Sequence, residues 1–222
     1  MMDTRPVVLD LFCNAGGAAM GYAQAGFRVI GVDIEPQPNY PFEFIEMDVF
    51  AFLITFREFV RKTVVLIHAS PPCQAKCALN KGTNRVREFD HPDLYPPTVA
   101  ALDRFDVPAV IENPEARPDV VLCGVMFGLK VLRHRRIQLV RWSTPKPEHV
   151  EHNGYVRGWR HKVWHDGPYI AAYGKGGGKG TVPEIQEAMG IDWTDDRDEL
   201  VEMLPPAYTQ WIGERFMDYR NQ

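Results

Sequence analysis

The chain has 222 residues, of which 45% are hydrophobic and 24% charged, with a net charge of −4; this is ordinary for a soluble globular protein with one well-buried α/β domain. No apolar run approaches the roughly 20 residues needed to span a membrane, and the opening MMDTRPVV lacks the layout of a signal peptide, so a cytoplasmic setting is expected. Cys13, Cys73, Cys77 and Cys123 show no paired spacing, which favours reduced thiols over disulfides.

In chain order, residues 7–12 form a short apolar run that ends in a Gly-containing turn at 14–17, followed by a helix over 18–25 that Gly26 closes. A second β-branched run, 28–32, ends at Asp33. A third strand, 44–47, ends at Asp48 and leads into an amphipathic helix through about Arg61. The run 64–69 reads as a fourth strand that stops at Ser70-Pro71-Pro72; a helix around 98–105 and a strand over 109–111 follow. Strands alternating with helices predict a mostly parallel sheet covered on both faces. Such sheets bind ligands beyond the carboxyl ends of their strands, and Asp10, Asp33, Asp48, Cys73 and Glu112 all fall at or just past predicted strand ends.

After Ile137 the periodicity fades. From 141 to 180 the chain is rich in Gly, Pro, His and aromatics, and the Gly-Lys run at 174–180 has no Ser or Thr where a P-loop requires one. Helical character returns at 182–189, at about 196–203 and after Pro205-Pro206. Charge is uneven. Residues 128–180 carry eleven Lys or Arg against three acids, interleaved with six Trp or Tyr, whereas 181–222 carry ten acids and three bases. A basic, aromatic segment suits a polyphosphate partner; a solvated loop with locally packed rings fits the charge count equally well. His149, His152, His161 and His165 match no standard zinc spacing and are read as solvated, with no metal expected.

Two segments carry chemistry. Residues 10–17, DLFCNAGG, describe a strand, a tight glycine turn and a helix start, where backbone N–H groups can approach a nucleotide-like ligand; Asp33 closes the next strand, where an acid can accept from a ribose diol. In Ala69-Ser70-Pro71-Pro72-Cys73-Gln74 two prolines hold the chain extended just after a strand. This presents Cys73 at the sheet edge, where a nucleophilic thiol needs to be. A buried structural cysteine is the alternative, against which the polar Gln74, Lys76 and Asn80 argue.

The ordered blocks DLFCNAGG, VDIEP, EMDVF, ASPPCQ, IENPE, RHRRI and ELVEMLPPAYTQWIG resemble those of the cytosine-C5 DNA methyltransferase family, most closely its compact bacteriophage versions. The resemblance implies a Rossmann-like S-adenosylmethionine-dependent methyltransferase fold with a small, irregular target-recognition insertion. It divides the chain into a catalytic and cofactor-binding core (1–140), a variable recognition region (141–195) and a C-terminal segment (196–222) that returns to the core. It assigns S-adenosylmethionine to Asp10, Phe12, Gly16, Gly17, Asp33, Ile34, Asp48 and Pro72, with Asp33 on the ribose and Ile34 against the adenine. Cys73 would attack C6 of a flipped cytosine, with Glu112 at N3, Asn113 beside it, and Arg133, Arg135 or Arg136 holding the base and its phosphate. The implied partner is double-stranded DNA, met by a monomer, with no membrane.

Asn14 stands where the family usually has Gly; if that position needs positive φ, Asn is the least costly substitute. Around Arg133-His134-Arg135-Arg136 the spaced basic pair falls either on His134 and Arg136 or on Arg133 and Arg135, which face opposite ways on a strand. A tRNA cytosine methyltransferase, a non-catalytic DNA-binding relative, and a relative transferring a modified donor group are the alternatives.

Overall fold

Along Val7–Leu11 (β1) side chains alternate between two cores: Val8 joins one apolar cluster, while Val7, Leu9 and Leu11 join the other. That period of two marks a strand buried on both faces. The computed structural model describes residues 3–72, 93–160, 162–173 and 179–222. In it β1 is followed by α1 (Gly17–Gln24), β2 (Arg28–Asp33), β3 (Glu43–Glu46), α2 (Val49–Thr55), α3 (Arg57–Thr63), β4 (Val64–Ala69), α4 (Tyr95–Leu102), β5 (Ala109–Glu112), β6 (Val120–Leu122) and β7 (Arg135–Val140). A short hairpin, β8 (Gly158–Arg160) with β9 (Val163–His165), precedes α5 (Val182–Met189), α6 (Arg197–Glu202) and α7 (Pro206–Arg220).

The seven strands form one sheet in the order β3-β2-β1-β4-β5-β7-β6. The first five are parallel, and β7 runs antiparallel to both β5 and β6. Strand order reverses between β1 and β4, which opens a crevice at their carboxyl ends. Helices α1 and α7 cover one face through Tyr22, Tyr208, Ile212 and Phe216, joined by Phe27 from the turn before β2. On the other face Phe52, Leu53, Val60 and Leu102 from α2, α3 and α4 are buried.

Two sequence expectations change. The single helix through Arg61 is two helices meeting at Phe56, whose φ of −104° and ψ of 25° interrupt the helical run. The helix expected from Thr98 begins at Tyr95, because Pro96 and Pro97 occupy first-turn positions where a missing N–H costs nothing. A third apolar cluster, including Ala15, Val131, Ala172, Ile185, Met189, Leu200 and Met203, joins the β1 turn to α5 and α6. Among the described residues, no helix is long and apolar enough to cross a membrane.

Candidate active site and cofactor pocket

Beyond β1 the chain turns through three residues with positive φ: Phe12 (57°), Asn14 (44°) and Gly16 (88°). Asn and Gly adopt this conformation cheaply, whereas for Phe12 it stores strain of about 1–2 kcal/mol, the kind that clusters at ligand sites. The Asn14 backbone N–H donates to Asp33 Oδ2 at 3.0 Å, and its side-chain amide donates to Glu202 Oε2 at 3.0 Å. Gly16 caps α1. A Cβ on Gly17 would overlap the Leu204 carbonyl oxygen, so only glycine lets the C-terminal segment lie this close to the turn.

Asp33 accepts N–H bonds from Asn14 and Glu35, at 3.0 and 3.1 Å, one on each oxygen; each oxygen keeps a lone pair for a further donor. Next to it Ile34 is 62% exposed, an apolar surface with room for a flat ring. The exposed Asp48 caps α2 by accepting from Ala51 N–H through Oδ1 at 2.8 Å, and so leaves Oδ2 open. Asp10 is buried, and both its oxygens lack a hydrogen-bond partner among the described residues. Burial, and then the charge of Asp33, push its pKa well above the usual carboxylate range. A cationic ligand at the adjoining turn would favour its ionised form. The set therefore fits S-adenosylmethionine: a glycine turn at a helix start, an acid with lone pairs for a diol, an apolar neighbour for adenine, and Pro72, exposed at the end of β4.

Glu112 ends β5 with its side chain 14% exposed, and its Oε1 lies 3.4 Å from Arg135 Nε. Burial raises the Glu112 pKa, while Arg135 and Arg133 pull it back. Pairing of Glu112 with Ile137 fixes the phase of β7 and places Arg135 on the same face. Arg136 points to the opposite face and donates through Nε to the Ala116 carbonyl at 2.9 Å. It is not brought to the acid, because neighbouring strand residues face opposite ways. Arg133 precedes the strand and is buried. It donates to the carbonyls of Ala172 (3.0 Å) and Val201 (2.9 Å), and burial pushes its pKa down to about 9. It ties the insertion to the C-terminal segment and does not present a free guanidinium. Of the three arginines expected at the base, Arg135 alone pairs with Glu112.

Cys73 lies outside the described residues, but its approach does not. Asn113 is buried and donates through Nδ2 to the Pro71 carbonyl at 3.2 Å; its Oδ1 accepts from Glu115 N–H at 2.9 Å. It thus clamps the segment leading to Cys73 against the end of β5. Spacing alone could not reveal a second brace: His68, fully buried in β4, contacts Tyr22 Oη at 3.0 Å and Ser70 Oγ at 2.9 Å. His68 lies beside Asp10 in the sheet register, and burial lowers its pKa to about 3. Only its place between the apolar Leu66-Ile67 and Ala-Ser-Pro-Pro hinted at a role.

On the β8–β9 hairpin Trp159 and Trp164 pack edge to face at 5.6 Å, yet remain 62% and 43% exposed. Tyr155 and Tyr173 are exposed nearby in sequence, and Lys179 Nζ sits 3.5 Å above the Tyr173 ring. Rings left open to solvent beside cations can stack on bases.

No protein-family profile matches the sequence, and a comparison with curated proteins finds no match. Solved structures do match. A DNMT2 variant of Spodoptera frugiperda superposes with a TM-score of 0.65 at 12% identity, over 96% of this chain and 99% of that one. A putative DNA modification methyltransferase encoded within a prophage of E. coli gives 0.63 at 12% identity, over 98% and 100%. The S. pombe Dnmt2 methyltransferase gives 0.58 at 14% identity, over 96% and 99%. The mostly parallel sheet and its flanking helices are those of the S-adenosylmethionine-dependent methyltransferase fold.

Proposed function

We propose that the chain is an S-adenosylmethionine-dependent DNA cytosine-C5 methyltransferase with Cys73 as its nucleophile. The observation that carries the reading is the joint beside Glu112, where Asn113 holds the Pro71 carbonyl two residues before Cys73. An enclosed carboxyl at the end of β5, beside the segment that leads to a thiol, suits addition across a cytosine ring.

Bound at the carboxyl ends of β1 and β2, S-adenosylmethionine would supply an electrophilic methyl group. C5 of cytosine is too poor a nucleophile to accept it unaided. The Cys73 thiolate adds to C6 and forms the S–C6 bond. The displaced π electrons move toward N3, where Glu112 donates a proton or a hydrogen bond. The raised pKa of Glu112 favours the protonated acid that this step needs. The resulting enamine is electron-rich at C5 and would take the methyl group there, the methyl–sulfur bond breaking with its electron pair left on the donor's sulfur. Loss of the C5 proton, return of the N3 proton to Glu112 and return of the S–C6 electron pair to Cys73 restore aromaticity. Arg135 orients Glu112 throughout. The target must leave the duplex at a cost of about a few kcal/mol.

The basic, aromatic stretch within 141–195 supports reading it as the DNA-contacting region, and the resemblance of the sequence blocks to compact bacteriophage versions is the ground for a phage or prophage setting. Transfer of a labelled methyl group to duplex DNA tests the reading. Wild-type protein should label DNA and Cys73→Ala should not, and DNA containing 5-fluorocytosine should trap wild-type protein covalently. Labelling of tRNA alone would redirect the substrate, and transfer that persists in Cys73→Ala would overturn the covalent mechanism.

A further inference from the structure

The sequence reads the middle histidines as solvated, yet the fold gathers two of them with two residues from elsewhere. Register pairs Leu122 with Arg135; one step further along the antiparallel hairpin, Cys123 stands opposite His134. His149 and His152 come from the irregular stretch that follows β7. One ligand atom from each of the four lies within 4.8 Å of every other. Cys123 Sγ is 3.4 Å from His152 Nε2, and His134 Nε2 is 3.0 Å from His149 Nε2. The three imidazole rings stand 5.1, 5.1 and 5.0 Å apart, an almost equilateral triangle.

These spacings match a tetrahedron. Zinc–nitrogen bonds near 2.0–2.1 Å and zinc–sulfur bonds near 2.3 Å give N···N edges of roughly 3.3 Å and S···N edges of roughly 3.6 Å. Three imidazoles so bound would have ring centres about 5 Å apart. A hydrogen-bonded pair explains one short contact; it does not explain three rings disposed about a common centre with a thiol as the fourth corner. Cys123 sulfur also accepts a backbone N–H at the start of the short helical turn after β6, a donor that supports a metal-bound thiolate.

We propose that Cys123, His134, His149 and His152 form a structural zinc site that fastens the 141–157 stretch to the β6–β7 edge. Four protein ligands leave no open position, so the metal braces the fold and activates no water. Binding releases the Cys123 proton to solvent. The brace also bears on the site already described. His134 directly precedes Arg135, the partner of Glu112, and residues 143–153 have no helix or strand of their own to hold them. The inference does not depend on the proposed methyl transfer.

Metal analysis of the full chain, purified without chelator, tests it. One zinc per chain is expected, lost in Cys123→Ser and in the double variant His149→Ala, His152→Ala. The double variant changes only the irregular stretch, so an unchanged far-ultraviolet dichroism spectrum would show that loss of metal is not loss of fold. Cobalt(II) in place of zinc should give the intense visible bands of a tetrahedral site, with a thiolate charge-transfer band absent from Cys123→Ser. Zinc content unaffected by both variants, or protein that binds neither zinc nor cobalt, would overturn the proposal.

Discussion

The side-chain amide of Asn113 donates to the backbone carbonyl of Pro71 at 3.2 Å, joining the segment that leads to Cys73 to the strand that carries Glu112. Asn113 is thereby a positioning residue. Asn113→Ala would leave the Pro71 carbonyl without its buried donor, at a cost of about 1–3 kcal/mol in stability. Methyl transfer should show a fall in kcat larger than any rise in KM for DNA, since the donor and DNA contacts we propose lie elsewhere. Equal losses in Asn113→Ala and in a surface control would remove the positioning role.

The opposite facings of Arg135 and Arg136 separate two variants that look alike in sequence. Arg135→Ala frees Glu112 from its 3.4 Å partner and should lower kcat by about tenfold or more, with Glu112→Gln lower still, by roughly 10²–10⁴. Arg136→Ala, which removes a bond to the Ala116 carbonyl, should act on stability and leave kcat near that of the wild type. The three rate constants on one DNA substrate decide it.

His68 makes stability sensitive to mild acid. Its pKa of about 3 in the fold lies below the usual 6.5, so the unfolded chain takes up a proton that the native chain refuses. The contribution is complete above pH 6.5 and declines as pH falls toward 3, at up to about 1.4 kcal/mol per pH unit. Urea unfolding between pH 7 and 5 should show that slope, and His68→Gln should flatten it. An unchanged slope in the variant would mean that the buried imidazole is not its source.

Helices α1 and α7 meet where Gly21 faces the Pro206 carbonyl and Thr209 Oγ1, leaving no space for a Cβ. Gly21→Ala gains helix propensity but must push the helices apart, which should destabilise the protein by about 1–3 kcal/mol. At this chain length that lowers Tm by roughly 2–4 °C per kcal/mol. A rise in Tm would show that the contact gives way freely.

Much of the sheet was legible because β1, β2, β4 and β5 are β-branched, apolar and bounded by turns, signals that act locally. The break at Phe56 and the three-residue β6 were not, because tertiary contacts outweigh such weak local preferences. Asn14 illustrates the middle ground. Its type suggested a left-handed turn, and its φ of 44° agrees, but its bond to Glu202 Oε2 spans most of the chain and leaves no trace in spacing.

By itself the sequence determined the alternation of strand and helix through β5, the glycine turn after β1, and the placing of Asp10, Asp33, Asp48 and Glu112 at or just past strand ends. These follow from side-chain period and backbone sterics within a few residues. Only the tertiary structure decided that Arg135 pairs with Glu112, that Arg133 is buried against Ala172 and Val201, and that Cys123 and three histidines converge. Each depends on the register of β7 against β5 and β6. A shift of one residue there reverses every side chain's face, and the energy that fixes the register comes from the whole packed sheet.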